Sequence, residues 1–212
     1  MLVRMDWLPV SAALLVTGAL ALCLGAFLLP ASEDTADSLR IVQDQGGRWL
    51  AAAVIFFISS VGLTLGLPAI LSLFDRRGWA LGMISGVVLE VGFIGIAGFA
   101  MLMAFFRALV VTDAIRDQKI DDLAGEAGLA VFLYTWIAGL YLGELLLGIA
   151  LLRAGTVPRW VPVMLILHAL SFPVSGLLPE YLSKATILLL LLGFAGIAIR
   201  AAAPERRLHR VR

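Results

Sequence analysis

Six long apolar segments constrain this chain more than any other feature of its sequence. They cover about residues 7–29, 49–74, 79–106, 129–152, 160–178 and 185–199. An α-helix needs roughly 20 residues to cross a hydrocarbon core about 30 Å thick. Lipid offers no partner to an exposed backbone N–H or C=O group, so only helices can carry so many crossings in one short chain. The sequence therefore predicts an all-α, polytopic membrane protein, with residues 1–212 in a single transmembrane bundle.

Composition excludes most other classes of protein. Hydrophobic residues make up 61% of the 212 residues, and charged residues make up 15%. A typical soluble domain is about 45–50% apolar and about 25% charged. A soluble enzyme, a disordered chain and a nucleic-acid-binding domain are therefore not expected.

The first segment has some features of a signal peptide. Arg4 precedes it, and Leu29-Pro30-Ala31 loosely resembles a cleavage site. The apolar run is longer than the roughly 7–15 residues of a signal core. We therefore expect an uncleaved first span.

The distribution of basic residues predicts the orientation. With the N-terminus in the cytoplasm, ten of the 16 Lys and Arg residues fall on the cytoplasmic side and six fall outside. The cytoplasmic loops are short, which is where the positive-inside bias is decisive. We predict a multi-pass protein of a bacterial inner (cytoplasmic) membrane, with both termini in the cytoplasm.

The tail, residues 200–212, is a basic cytoplasmic segment beside the last span. Basic residues there are attracted to anionic lipid headgroups, by about 1 kcal/mol each. The expected partners are the lipid bilayer and anionic lipid at the tail. No folded basic domain accompanies the tail, so nucleic acid is not expected, and a homo-oligomer is compatible with the sequence. The headgroup contacts are assigned to Arg200, Arg206, Arg207, Arg210 and Arg212.

Two longer connections join spans on the predicted outer side. Residues 31–48 and 107–126 mix charged side chains with a weak apolar stripe. This pattern is typical of short amphipathic helices on the membrane surface. It also fits solvated connectors, and the third span is able to continue into water through Asp113.

The chain partly repeats itself at a spacing of 77 residues. Gly62-Leu63-Thr64-Leu65-Gly66 matches Gly139-Leu140-Tyr141-Leu142-Gly143, and Arg76-Arg77-Gly78 matches Arg153-Ala154-Gly155. One interpretation is a duplicated helical hairpin, formed by spans two–three and four–five. Chance matches between apolar segments are the alternative. The glycines also have a local explanation, because small residues let membrane helices approach closely.

Three ionisable side chains lie deep in predicted spans. Glu90 lies about 16 Å from the cytoplasmic edge, and Glu144 and His168 lie about 12 Å from it, at a rise of 1.5 Å per residue. Thr17 and Thr64 reach a similar depth. Charge at mid-bilayer is costly and normally faces protein partners. We expect Glu90, Glu144 and His168 to point inward, near one another.

This predicted polar layer has three interpretations. It is a proton or solute pathway through Glu90, Glu144, His168, Thr64 and Thr17, or it is a structural cluster that fixes helix register. The third is a divalent metal site, for which Glu/Glu/His is an acceptable ligand set. Serines within the spans are expected to bond back to carbonyls of their own helix. Pro68 and Pro173 are expected to kink their helices and open a cavity nearby.

One stretch carries a family resemblance. A fourth span ends in the turn Arg153-Ala154-Gly155, followed by Pro158-Arg159 and a fifth span that ends before Leu178-Pro179. This layout resembles a broad family of uncharacterised bacterial six-helix integral membrane proteins. The resemblance implies six spans over most of the chain. It implies no activity, so no catalytic residue is inherited from it.

The favoured function is that of a non-enzymatic integral membrane protein, an accessory or stress-related component, with no cofactor. A small proton-coupled solute transporter that uses Glu90, Glu144 and His168 is the alternative. An intramembrane metal-dependent enzyme that uses the same three residues is the third.

The predicted orientation has a direct test. A green fluorescent protein fused after Arg212 is expected to fluoresce, because that reporter folds in the cytoplasm. Alkaline phosphatase at the same position is expected to be inactive. The opposite pair of results would contradict the orientation.

Overall fold

The computed structural model describes residues 7–30, 35–74, 77–114 and 126–203, and within them it contains helices and no strand. Six stretches are long and apolar enough to cross a membrane. The fifth joins an α-helix to a 3₁₀ helix, and the sixth joins two short α-helices. The prediction of an all-α polytopic fold is confirmed. The elements are α1 (Trp7–Leu28), α2 (Thr35–Leu71), α3 (Trp79–Val111), α4 (Ala127–Ala154), α5 (Trp160–Ser171), the 3₁₀ helix Phe172–Leu177, α6 (Glu180–Ala185) and α7 (Ile187–Ala202).

The spans form a closed ring. Each of α1 to α5 packs against the next spanning helix in the chain, and α7 packs against both α5 and α1. Phe93 of α3 and Phe194 of α7 meet edge to face inside the ring, with their centroids 6.2 Å apart. Both side chains are fully buried, as are leucines contributed by every spanning helix. The ring therefore encloses a packed apolar core.

The bundle has two ends, which are named here by their chain segments. The termini end holds Trp7, Ala202 and the short turns at Gly78 and Gly155, and both glycines have positive φ angles of 77° and 64°. The long-loop end holds Leu28 and Val111. Because the described residues form six spans, the start of α1 at Trp7 and the end of α7 at Ala202 lie at the same end.

The second and third spans continue beyond their predicted limits at the long-loop end. The predicted connector 31–48 is helical from Thr35, and α3 runs on to Val111. The 37 residues of α2 are two helical stretches joined by a kink at Gln45, and the stretch after the kink, residues 46–71, is about 39 Å long, beyond the thickness of hydrocarbon. Leu39 and Val42 of α2 pack against Val110 of α3. This small second core explains why the segment folds as a helix and not as a connector.

Cationic side chains at the long-loop end bind backbone carbonyls. Arg48 donates to the Leu28 oxygen at 2.7 Å, and Lys184 donates to the Leu29 oxygen at 3.1 Å. Arg107 donates to the Gly46 oxygen at 2.9 Å, next to a kink in α2. The last carbonyls of a helix lack intrahelical partners and carry partial negative charge. Arg48 and Lys184 therefore stabilise the end of α1, and Arg107 stabilises α2 beside its kink.

The side chain of Ser11 on α1 forms hydrogen bonds with two backbone groups of α2 beside Pro68. The Ser11 hydroxyl accepts from the Ala69 N–H at 3.1 Å and donates to the Leu65 carbonyl at 2.8 Å. These two backbone groups would bond to each other in an undisturbed helix. Proline strains the preceding turn, and the hydroxyl of α1 is inserted into the opened ladder. The backbone of α2 beside Pro68 is thus bridged to α1 by two interhelical hydrogen bonds.

Glycines bring α1 and α2 into backbone contact. A Cβ atom built on Gly18 would lie 2.6 Å from the Leu63 nitrogen, and one built on Gly62 would lie 2.8 Å from the Gly18 Cα. A Cβ on Gly66 would lie 2.7 Å from the Leu15 Cα. These separations are too short for any side chain, so glycine is required for this packing.

The pair α3 and α4 repeats the same contacts. A Cβ on Gly92 would lie 2.6 Å from the Leu140 nitrogen, and one on Gly139 would lie 3.0 Å from the Gly92 nitrogen. A Cβ on Gly143 would lie 2.8 Å from the Leu89 nitrogen. Gly139 and Gly143 are the sequence matches of the two glycines of α2. The hairpin pairing of spans two–three with four–five stays a prediction; the shared contacts lie within α1–α2 and α3–α4.

The glycine contacts generate a prediction for α3. Gly92→Val is expected to lower the free energy of unfolding by about 2 kcal/mol or more, because the backbone of α4 cannot move aside. Gly98→Val is the matched control, since the nearest atom to its Cβ would be 3.6 Å away. Denaturant unfolding of both variants in micelles measures the difference. Equal losses would contradict the close approach.

Glu126 generates a pH-dependent prediction at the start of α4. Hydrogen bonds from the backbone of Gly128 and Leu129 hold the pKa of this exposed carboxyl below its ordinary value. The stabilisation is therefore present above the ordinary pKa and is lost as pH falls through the lowered one. The gap in unfolding temperature between the parent and Glu126→Gln is expected to close on acidification. A gap that stays constant with pH would refute this capping role.

Candidate functional site

The structure pairs two of the three deep ionisable residues. His168 Nδ1 and Glu144 Oε2 are 2.5 Å apart. Glu144 is 0% exposed and His168 is 1% exposed. A buried polar group is normally hydrogen-bonded, and a buried charge is normally paired. The two side chains therefore form a sealed polar contact that joins α4 to α5.

The pair lies where the fifth span changes its winding. Glu144 is in the interior of α4, whereas His168 is in the last turn of α5. The chain continues from Phe172 as a 3₁₀ helix that contains Pro173. Proline has no N–H and cannot donate to the carbonyl four residues earlier, so an α-helix is interrupted there. The expectation of a kink at Pro173 thus corresponds to a change from α to 3₁₀ winding.

An aromatic stack fixes the imidazole ring. The Tyr141 ring lies 5.2 Å from the His168 ring, at an interplanar angle of 27°. The Tyr141 ring also stacks on the Phe172 ring, with the centroids 4.5 Å apart. Tyr141 precedes Glu144 by three residues, so both are on one face of α4. Sequence reasoning missed Tyr141, although this spacing was a signal that could have found it.

The second carboxylate oxygen of Glu144 does not take part in the contact with His168. Among the described residues, Glu144 Oε1 is buried and has no hydrogen-bond partner. A carboxylate can accept at both oxygens, and leaving one unsatisfied in a buried site costs about 1–3 kcal/mol. The site is therefore sealed but not fully satisfied.

Glu90 lies in a different place. It is half-buried in a groove of about 280 Å³ between α2 and α3, with Leu67 and Leu71 on one side and Met83 and Val87 on the other. Its Oε2 atom is buried and has no hydrogen-bond partner in the described part of the chain. Glu90 thus lies in the interior of α3, and the structure does not bring it into contact with Glu144 and His168.

The remaining candidates lie outside the pair. Thr17 is exposed on α1, and Thr64 is half-buried on α2. Arg200 donates to the Thr156 carbonyl at 3.1 Å, at the termini end. The other arginines of the predicted lipid contact, Arg206, Arg207, Arg210 and Arg212, lie outside the described residues.

The spans hold serines that sequence reasoning assigned to their own helices. Ser59 donates to the Gly18 carbonyl and Ser60 to the Phe93 carbonyl, at 2.8 and 2.5 Å. Both hydroxyls therefore cross to a neighbouring helix, and the expectation was wrong for these two. Ser85 does bond within its own helix, to Gly82.

A metal site would need a third ligand at the pair. In residues 7–30, 35–74, 77–114 and 126–203, no three His, Cys, Asp or Glu side chains come together in a way that could hold an ion. The predicted third ligand, Glu90, is in its own groove. The pair thus offers one carboxylate and one imidazole.

Comparison with known proteins returned no match to a family model, to a curated protein or to a solved structure. The fold places the chain in the class of multi-pass, all-α membrane proteins.

Proposed function

We propose that this chain is a non-enzymatic membrane protein, an accessory component of the bilayer, in which the Glu144–His168 contact locks α5 onto α4. The observation that supports this proposal is the sealing of the pair: both side chains are buried and their nearest atoms are 2.5 Å apart. Burial leaves the pair no route to substrate among the described residues, whereas it suits a fixed interhelical contact.

The charge balance of the Glu144–His168 pair also favours a structural role, in which the pair locks α5 onto α4. A carboxyl and an imidazole in contact are neutral together when they share one proton, whichever atom carries it. Adding a second proton, or removing the only one, leaves an unpaired charge in a low-dielectric interior. Such a charge costs several kcal/mol. The neutral pair therefore suits a permanent contact between α4 and α5.

The proposal includes the setting of the protein. We place it in a bacterial cytoplasmic membrane, both termini inside, with the basic tail against anionic lipid and with self-association into a homo-oligomer. Ten of the 16 basic residues at the predicted inner side support this orientation. The family resemblance at Arg153-Ala154-Gly155 supports the bacterial origin.

The lock has a paired-variant test. His168→Phe is expected to lower the free energy of unfolding by about 3–5 kcal/mol, because it leaves a carboxyl buried without a partner. Glu144→Met leaves an unpaired imidazole and is expected to cost about 1–3 kcal/mol. The double variant is expected to recover most of the loss, since apolar side chains of similar volume can replace a buried pair. Unfolding in micelles measures all three.

Exposed Glu180 gives the matched control. Glu180→Met also removes a carboxyl, but from a position at the long-loop end whose side chain is 61% exposed. It is expected to change stability little. A double variant as unstable as His168→Phe alone would argue against the lock.

A second candidate, a small proton-coupled solute transporter, is supported by the unsatisfied oxygen of Glu144. An acceptor without a donor is a place where a proton or a solute group can bind. Broken helices also line binding sites in transporters, and the fifth span is broken next to the pair. Proton flux into vesicles carrying the purified protein separates the two candidates. A transporter would lose flux in the folded double variant, whereas a lock predicts no flux in the parent.

A further inference from the structure

Glu90 occupies an unusual environment for a carboxyl. It is the one charged residue in the lining of its groove, whose other members are aliphatic side chains, one methionine and Gly86. Several lining residues, including Val87 and Ile94, are among the most exposed apolar side chains of α3. In a bilayer these side chains face lipid. The groove therefore opens sideways into hydrocarbon.

The carboxyl lacks what would neutralise it. Its Oε2 atom is buried without a hydrogen-bond partner among the described residues. No Lys, Arg or His lines the groove on either α2 or α3. A charge in hydrocarbon costs at least a few kcal/mol, and an intramembrane carboxyl therefore needs a proton or a counter-cation. The described residues supply no cation here, so a counter-cation for the ionised carboxylate would have to come from outside the chain.

The groove selects the kind of cation. A metal ion such as Mg²⁺ or Ca²⁺ needs six or more oxygen ligands, or keeps its own water. One carboxylate in an aliphatic groove provides neither. An organic cation with a hydrophobic exterior avoids that requirement, because it arrives through the lipid without a tightly held water shell. Its apolar groups would cover Leu67, Leu71 and Met83, and its charge would face Glu90.

We propose that the groove between α2 and α3 binds a lipophilic monocation, of the quaternary ammonium or phosphonium class, with Glu90 as its counter-ion. The volume of about 280 Å³ holds part of such a molecule and leaves the remainder in lipid. The site is separate from the Glu144–His168 pair and involves no transport. It goes beyond the accessory role proposed above and does not depend on it.

Tetraphenylphosphonium is the probe for this site. Equilibrium dialysis of the full-length protein in micelles is expected to show one saturable site per chain. Glu90→Gln is expected to weaken binding at least about tenfold, because two opposite charges at close range contribute more than the 1.4 kcal/mol that a tenfold change represents. Removing an unpaired intramembrane charge is not expected to harm folding. The unfolding temperature of Glu90→Gln checks this.

Three controls separate charge, shape and position. Tetraphenylborate has nearly the same shape with a negative charge and is expected not to bind saturably. Val87→Trp keeps the carboxyl and fills the groove from an exposed position, and it is also expected to weaken binding. Glu180→Gln removes a carboxyl outside the groove and is expected to leave binding unchanged.

The outcomes decide the proposal. Equal binding of both probes, or unchanged binding in Glu90→Gln, would show simple partition into apolar surface and would overturn it. A second copy of the chain is the alternative occupant of the groove, and light scattering tests for it by measuring the oligomeric state. A dimer that Val87→Trp dissociates, together with no saturable phosphonium binding by the parent, would assign the groove to that copy and also overturn the proposal.

Discussion

Hydrocarbon offers no hydrogen-bond partner, so the polar groups of the spans have to be hydrogen-bonded within the protein. Each backbone group in the spans must be satisfied within the protein, which makes every span a helix. The same demand accounts for the polar side chains. Ser11 closes the gap beside Pro68, and Ser59 and Ser60 donate to carbonyls of neighbouring helices. At the long-loop end, Arg48 and Lys184 satisfy the carbonyls of Leu28 and Leu29, where α1 ends. The Glu144–His168 contact follows the same rule with ionisable groups.

Lipid tails are as apolar as leucine side chains, so helix association in a membrane depends on close packing and on interhelical hydrogen bonds. The chain uses both together. Where Gly18 meets Gly62, the helices come so close that Ser59 can reach the Gly18 carbonyl across the interface. Backbone contact therefore permits the hydrogen bond, and the hydrogen bond keeps the contact in register. The α3–α4 pair shares the glycines but has Trp136 at the position that matches Ser59.

The sequence predicts the spans well because twenty apolar residues have few other stable environments. It predicts their ends less well. Thr35 to Arg48 is polar on most sides, and its contacts with Val110 and Arg107 of α3 account for its helical continuation of α2. The position of a residue along a span can also be predicted from the sequence, since each residue of an α-helix adds a fixed rise. The direction in which a side chain points around the helix axis is harder to infer from the sequence. On α3, Leu89 and Phe93 are buried, and Glu90 comes one residue after Leu89, about 100° around the axis. That rotation turns Glu90 toward α2 and away from α4.

The winding of the fifth span has a consequence for its reach. This span has 18 residues, from Trp160 to Leu177. Wound entirely as an α-helix it would extend about 27 Å, a little short of a typical hydrocarbon layer. Its last six residues are 3₁₀, which rises about 2.0 Å per residue and so adds about 3 Å. The tighter coil thus lets the shortest crossing of the bundle match the membrane thickness without an extra residue.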